Sequence, residues 1–143
     1  MQINELVEAF GLLKGARLLK PERSQWHLRF LLERPYYSSQ GYPALDYLVG
    51  ALVNCTDFIY QPLGGERLLS PEDLAVLEPR LDGVGGDGDK LILDCTARDG
   101  KPGRISLRAR GLLLYAAAGK ELKLEDLRRL AADCWGFEPA KTS

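Results

Sequence analysis

The apolar positions of the chain follow two periods, and together these predict a mixed α+β fold. Helical spacing marks the N-terminal stretch, with apolar side chains at Ile3, Leu6, Val7, Phe10 and Leu13. Gly15 is the expected stop. The same spacing predicts a helix over 124–134 and, after the Ser70-Pro71 start signal, a short helix that ends before Pro79.

Strict alternation predicts strands elsewhere. Residues 26–33 place Trp26, Leu28, Phe30 and Leu32 on one face. Two further alternating runs, 91–98 and 104–110, flank the turn-rich stretch 99–103 and predict an antiparallel hairpin. A third strand is expected over 112–118 and a short one over 16–19. The Gly/Asp-rich stretch 82–89 is predicted to be a loop.

The stretch from Ala44 to Tyr60 dominates the fold prediction. Pro43 stands where a helix can begin, and few polar residues interrupt the apolar surface: Asp46, Asn54, Thr56 and Asp57. A helix that is apolar nearly all round is buried inside a protein. We therefore predict one α+β domain over residues 1–143, in which an antiparallel sheet wraps around this central helix. Further helices lie at both ends of the chain.

Composition narrows the function classes. Hydrophobic residues make up 45% of the 143 residues and charged residues 27%, as in ordinary globular domains. The net charge of -1 argues against binding nucleic acid. The N-terminal residues lack a signal-peptide pattern and no apolar run reaches membrane-spanning length, so a cytoplasmic protein with reduced thiols is expected.

Familiar catalytic motifs are missing from the sequence. The chain has one histidine, His27, so a histidine-rich metal site cannot form, and His27 is expected at the surface. Phosphate loops, dinucleotide fingerprints and serine-nucleophile elbows are absent, and no cofactor is implied. The run Gly83–Asp89 resembles a calcium-binding glycine–aspartate repeat, but Lys90 lies at a position where that repeat has aspartate. A solvated loop is therefore expected.

Basic side chains concentrate on one face of the predicted hairpin. Arg104, Arg108 and Arg110, joined by Arg98, predict an anion-binding stripe for a phosphate or an acidic partner. A charged face that keeps sheet edges apart explains the same pattern.

Cys55 and Cys134 both fall on predicted helices and suggest a second chemistry. Two helix-borne thiols resemble the OsmC-like thiol peroxidases, which typically place proline after the second cysteine, whereas Trp135 stands here. Buried helix cysteines are usually inert, which is the alternative.

The loop before the predicted central helix mixes aromatic rings, hydroxyls and an amide. It predicts a binding site for an apolar ligand with one polar end, formed by Tyr36, Tyr37, Ser39, Gln40 and Tyr42. Tyrosines that pack at the rim of the protein explain the loop equally well.

Two segments resemble the hot-dog fold of acyl-thioester thioesterases and dehydratases. One is Gln40–Leu52, with its loop and helix, and the other is Gly88–Leu93, with its Gly-Asp-x-Leu strand start. The resemblance implies acyl-thioester ligands, homodimers, and an active site near the N-terminus of the helix. The histidine that dehydratases carry in the loop is absent, and Val49 stands where their carboxylate would fall.

Asp46 is then the candidate catalytic residue, as a base or as a group that orients water. An acid in the first turn of a helix is also favoured by the helix dipole, so a structural role has equal weight. The resulting hypothesis is a homodimeric domain that binds acyl thioesters, with or without catalysis. A protein-interaction adaptor and a thiol peroxidase are the alternatives.

Overall fold

Nine antiparallel strands form one sheet and account for about half of the described residues. The computed structural model describes residues 2–25, 27–33, 47–116 and 119–135, with the backbone alone for 131–135. The strands are β1 (Arg17–Arg23), β2 (His27–Glu33), β3 (Tyr47–Val53), β4 (Thr56–Pro62), β5 (Arg80–Asp87), β6 (Lys90–Thr96), β7 (Pro102–Arg108), β8 (Gly111–Ala116) and β9 (Glu121–Leu122). The helices are α1 (Ile3–Leu12), α2 (Leu74–Leu77) and α3 (Leu124–Trp135), and a 3-10 turn (Pro71–Asp73) precedes α2.

The strand order forces the sheet to curl. It runs β4-β7-β6-β5-β1-β2-β3-β8-β9, so β4 stands first and β3 seventh. Yet only Asn54 and Cys55 join the end of β3 to the start of β4. The two strands must therefore meet at a corner, which brings the two halves of the sheet face to face.

The hydrophobic core lies between these two halves. Leu28 and Phe30 of β2 line the same interior space as Leu93 of β6 and Ile105 of β7. Helix α1 closes the interior with Phe10, which is fully buried. The alternation predicted for β2, β6 and β7 is confirmed, because more buried and more exposed residues alternate along these strands. The third strand expected after the hairpin is present as β8.

The predicted central helix over 44–60 is wrong, and with it the sheet wrapped around a helix. Residues 47–53 form β3, paired on both sides with β2 and β8, and Thr56–Pro62 forms β4. A short apolar run of seven residues fits a strand as well as a segment of buried helix, and periodicity alone does not separate the two. Asn54 and Asp57 adopt φ of 51° and 54°, left-handed values that Asn and Asp tolerate better than most residues.

Gly50 indicates why this run is a strand. A Cβ at Gly50 would lie 2.7 Å from Cε2 of Phe30, which packs against the bare backbone of β3 from β2. Glycine also disfavours a helix interior by about 1 kcal/mol relative to alanine. The hot-dog resemblance relied on this segment as a helix, and its residues 47–52 form a strand instead.

The loop predicted over 82–89 is also mostly a strand. Residues Arg80–Asp87 form β5, which pairs with β6. The helices predicted at both ends of the chain, and the short helix after Pro71, are confirmed. No helix in the described ranges has the length and apolar character needed to cross a membrane.

Candidate functional site

The corner between β3 and β4 is held in place by groups from distant parts of the chain. An Nη of Arg23, at the end of β1, donates to the carbonyl oxygen of Cys55 at 3.0 Å. The backbone N–H of Arg110 donates to the carbonyl oxygen of Val53 at 2.8 Å. These bonds tie the ends of β1 and β7 to the corner and fix its position.

Arg108, at the end of β7, is gripped by two carboxylates. Its Nε donates to Oδ1 of Asp89 at 3.0 Å, and one Nη donates to Oδ2 of Asp57. The hydrogen bond from Arg108 holds the pKa of Asp89 below its ordinary value, and the two aspartates raise the pKa of Arg108. The guanidinium is thus charged and fixed in direction at neutral pH.

An open groove of about 640 Å³ runs beside the corner. We call it the corner groove, and it is lined by Arg23, Gln25, Asn54, Cys55, Thr56, Asp89, Arg108, Ala109 and Arg110. Three arginines therefore line it, against two aspartates that hold Arg108: Asp89, which lines the groove, and Asp57. This local excess of positive charge contrasts with the net charge of -1 of the whole chain.

The structure brings together two of the three residues predicted to bind an anion. Arg108 and Arg110 line the corner groove, whereas Arg104 lies on the outer face of β7 with its Nε 2.8 Å from Oδ1 of Asp94. Arg98, the fourth member of the predicted stripe, pairs with Glu78.

Sequence reasoning missed the other charged and amide or hydroxyl residues of the groove: Arg23, Gln25, Asn54, Thr56 and Asp89. Arg23 and Gln25 carry no motif of their own. Asn54 and Thr56 are polar residues within an apolar run. Such an interruption indicates a chain reversal, and the helix prediction did not use it.

Two cysteines are buried where their thiols do not ionise at neutral pH. Burial raises the pKa of Cys55 to about 11 and that of Cys95 to about 12. A reactive cysteine needs a lowered pKa, so both environments argue against a nucleophilic role. The peroxidase alternative also needs Cys134, whose side chain lies outside the described part.

The remaining predicted site residues lie outside the described ranges: Tyr36, Tyr37, Ser39, Gln40, Tyr42 and Asp46. His27, at the start of β2, is half-buried. Across the ranges that are described, no three His, Cys, Asp or Glu side chains come together as a metal site requires.

A small apolar cavity lies in the interior between the sheet halves. Its volume is about 20 Å³, and only apolar residues line it, among them Phe10, Leu28 and Phe58. A space of this size holds about one water-sized molecule. An acyl chain does not fit there without movement of the core.

Comparison of the chain with family models, with curated proteins and with solved structures found no significant match.

Proposed function

We propose that this domain binds a small molecule carrying a phosphate or carboxylate group in the corner groove, without reacting it. The observation that carries the proposal is the convergence of Arg23, Arg108 and Arg110, from the ends of β1 and β7 and the turn after β7, on one groove. Guanidinium groups bind such anions through paired, charge-assisted hydrogen bonds.

Arg108 is oriented before any ligand arrives, because Asp57 and Asp89 hold its guanidinium. A side chain that is already ordered loses little conformational entropy on binding. Asn54, Thr56 and Gln25 add neutral hydrogen-bonding groups at the same groove. This combination of fixed charge and neutral donors suits a phosphate better than an apolar molecule.

Binding without chemistry is favoured by the groups beside the groove. The thiol of Cys55 stays protonated, with its pKa raised to about 11, and Asp89 is paired with Arg108. Neither is an activated nucleophile or a general base with a pKa near 7. The predicted acyl-thioester ligands are compatible with this proposal, because coenzyme A carries phosphates and is a candidate source of the bound anion.

Calorimetric titrations with pyrophosphate, coenzyme A and acetate at low ionic strength test the proposal. We expect pyrophosphate to bind and Arg110→Gln to weaken its binding by about tenfold, as the loss of one charge-assisted contact should. Arg23→Lys keeps the positive charge but loses the paired N–H donors of the guanidinium. It should therefore weaken pyrophosphate binding less than Arg110→Gln does.

Arg104→Gln is the matched control. Arg104 lies on the same strand as Arg108 and is also paired with an aspartate, but it does not line the corner groove. Its substitution should leave the affinity unchanged. Equal losses of affinity for pyrophosphate in Arg104→Gln and Arg110→Gln would mean that binding does not depend on the corner groove. The proposal would then be rejected. Tighter binding of coenzyme A than of pyrophosphate would favour an acyl carrier as the ligand.

A further inference from the structure

A row of large apolar side chains crosses the outside of the sheet. Strand pairing places Leu19 of β1 opposite Leu31 of β2, Leu31 opposite Val49 of β3, and Val49 opposite Tyr115 of β8. Residues directly opposite in antiparallel strands share a face. We call these four residues the outer row. All four are half-buried, and their sequence neighbours Leu18, Leu32 and Leu48 face the core.

The helices of the described chain pack on the other side. Helix α1 contacts mainly β5 and β6, α2 contacts β1, and α3 contacts α1 and β9. Phe10 of α1 and Leu74 of α2 both line the interior cavity, which places these helices inside the curl. An antiparallel sheet that faces water normally turns polar side chains outward, so an apolar outer row needs an explanation.

Charged residues flank the outer row in an alternating arrangement. On one side Arg17 lies opposite Glu33, and on the other side Glu22 lies opposite Arg29. Along β1 the order is therefore basic, apolar, acidic, and along β2 it is acidic, apolar, basic. Arg17 also donates to the carbonyl of Glu78, so Glu33 and Arg29 are the better probes of this arrangement.

We propose that two copies of the chain pack face to face through the outer row, related by a two-fold axis that runs along it. Such a rotation turns each strand end for end. Glu33 of one copy then faces Arg29 of the other, and Arg17 faces Glu22, each contact occurring twice. An isologous interface requires a patch that is complementary to itself, and this arrangement has that property.

A second copy fits the face better than a partner of uniform charge. An acidic or basic partner would meet both favourable and unfavourable charges around the outer row, because Arg17 and Arg29 alternate with Glu22 and Glu33 and Glu121 lies beside Tyr115. The proposal is independent of the corner groove, because none of its residues lines that groove.

Sedimentation of the full chain at several concentrations tests the proposal. The wild-type chain is expected to be a dimer, and Val49→Lys is expected to weaken it by more than about 100-fold, because it places a charge at the centre of the interface. The matched control is Ile92→Lys. Ile92 is also a half-buried apolar residue with buried sequence neighbours, but it lies on β6 in the other half of the sheet. Its substitution should leave the dimer intact.

A charge exchange supplies a second test that keeps the apolar row unchanged. Glu33→Arg creates two like-charge contacts with Arg29 and should weaken the dimer by about tenfold. Adding Arg29→Glu to that variant restores opposite charges across the axis and should recover most of the affinity.

Circular dichroism shows whether each variant is folded. A wild-type chain that stays monomeric at about 100 µM would overturn the proposal, as would a dimer insensitive to Val49→Lys. A folded double variant no tighter than Glu33→Arg alone would rule out the two-fold arrangement.

Discussion

Gly50 leaves room for the ring of Phe30 to lie over the backbone of β3. The ring of Phe30 occupies the space that a side chain at position 50 would need, with 2.7 Å between the added Cβ and Cε2. Phe30 is itself buried among the core residues of the sheet. The ring therefore cannot move without disturbing side chains from both halves of the molecule.

Gly50→Ala is expected to lower the free energy of unfolding by about 1–3 kcal/mol, as overpacking in a core typically does. The measurement is urea denaturation of the variant and the wild type. Gly85→Ala in β5 is the control, because no atom lies within 4 Å of its added Cβ. That change should be neutral or slightly stabilising. Equal effects of the two substitutions would show that strand propensity, not the Phe30 contact, sets the cost.

The buried thiols make a second prediction at this scale. Because burial raises the pKa of Cys55 to about 11 and of Cys95 to about 12, neither should react with iodoacetamide at pH 7.5 in the folded chain. Both should react in denaturant. Peptide mapping by mass spectrometry identifies each cysteine separately. Rapid labelling of Cys55 in the folded state would contradict this and would revive the peroxidase alternative.

At the scale of the elements, α1 and α3 are joined by a bidentate ion pair. Nε and an Nη of Arg128 donate to the two carboxylate oxygens of Glu8, both at 2.6 Å. The hydrogen bonds from Arg128 lower the pKa of Glu8 from its usual value of 4.5. A lowered pKa in the folded state means that the pair stabilises the fold above pH 4.5. This stabilisation is lost as the pH falls through the lower, folded value.

Glu8→Gln should therefore lower the free energy of unfolding at pH 7 by about 0.5–1 kcal/mol, given the partial exposure of the pair. The difference from wild type should shrink as the pH falls below 4.5 and vanish once Glu8 is protonated in both states. Urea denaturation at pH 7 and at a second pH below the folded pKa measures it. Arg129→Gln, an exposed neighbour on α3, should show no such pH dependence. A loss that is the same at both pH values would indicate packing and not charge.

The sequence pattern predicted some of the helices and strands and missed others. Amphipathic periods identified α1, α3 and the strands β2, β6 and β7, since each has one face in the core and one outside. β3 failed this test because its outward-facing residues, among them Val49 and Val53, are apolar like its inward-facing ones, which removes the alternation. β5 was not predicted as a strand, because its Gly-rich composition is typical of a loop.

The candidate site was predictable only in part for the same reason. Arg108 and Arg110 follow from the hairpin, which local pattern reveals. Arg23 and Asn54 join them only because the sheet curls and β3 meets β4 at a corner, and that depends on pairings between strands far apart in sequence. A sequence read by local periodicity contains no information on such closure.

At the scale of the whole molecule, one curled sheet presents two unlike surfaces. The corner groove concentrates arginine side chains at the point where the two halves of the sheet meet. The outer row lies on the convex side of β1, β2, β3 and β8, away from the helices. Because the groove and the outer row share no residue, loss of one function need not affect the other.

The corner between β3 and β4 also has a consequence for biosynthesis. β4 pairs with β7, so Thr56 meets Arg108 only after the intervening chain has been made. In a nascent chain, β4 lacks its partner strand β7 throughout that interval. Strand pairings between residues far apart in sequence form slowly, and until they form the unpaired strand edges can pair with other chains. Translation that stalls between 62 and 102 would therefore release a fragment prone to aggregate, and synthesis speed over this interval becomes a determinant of yield.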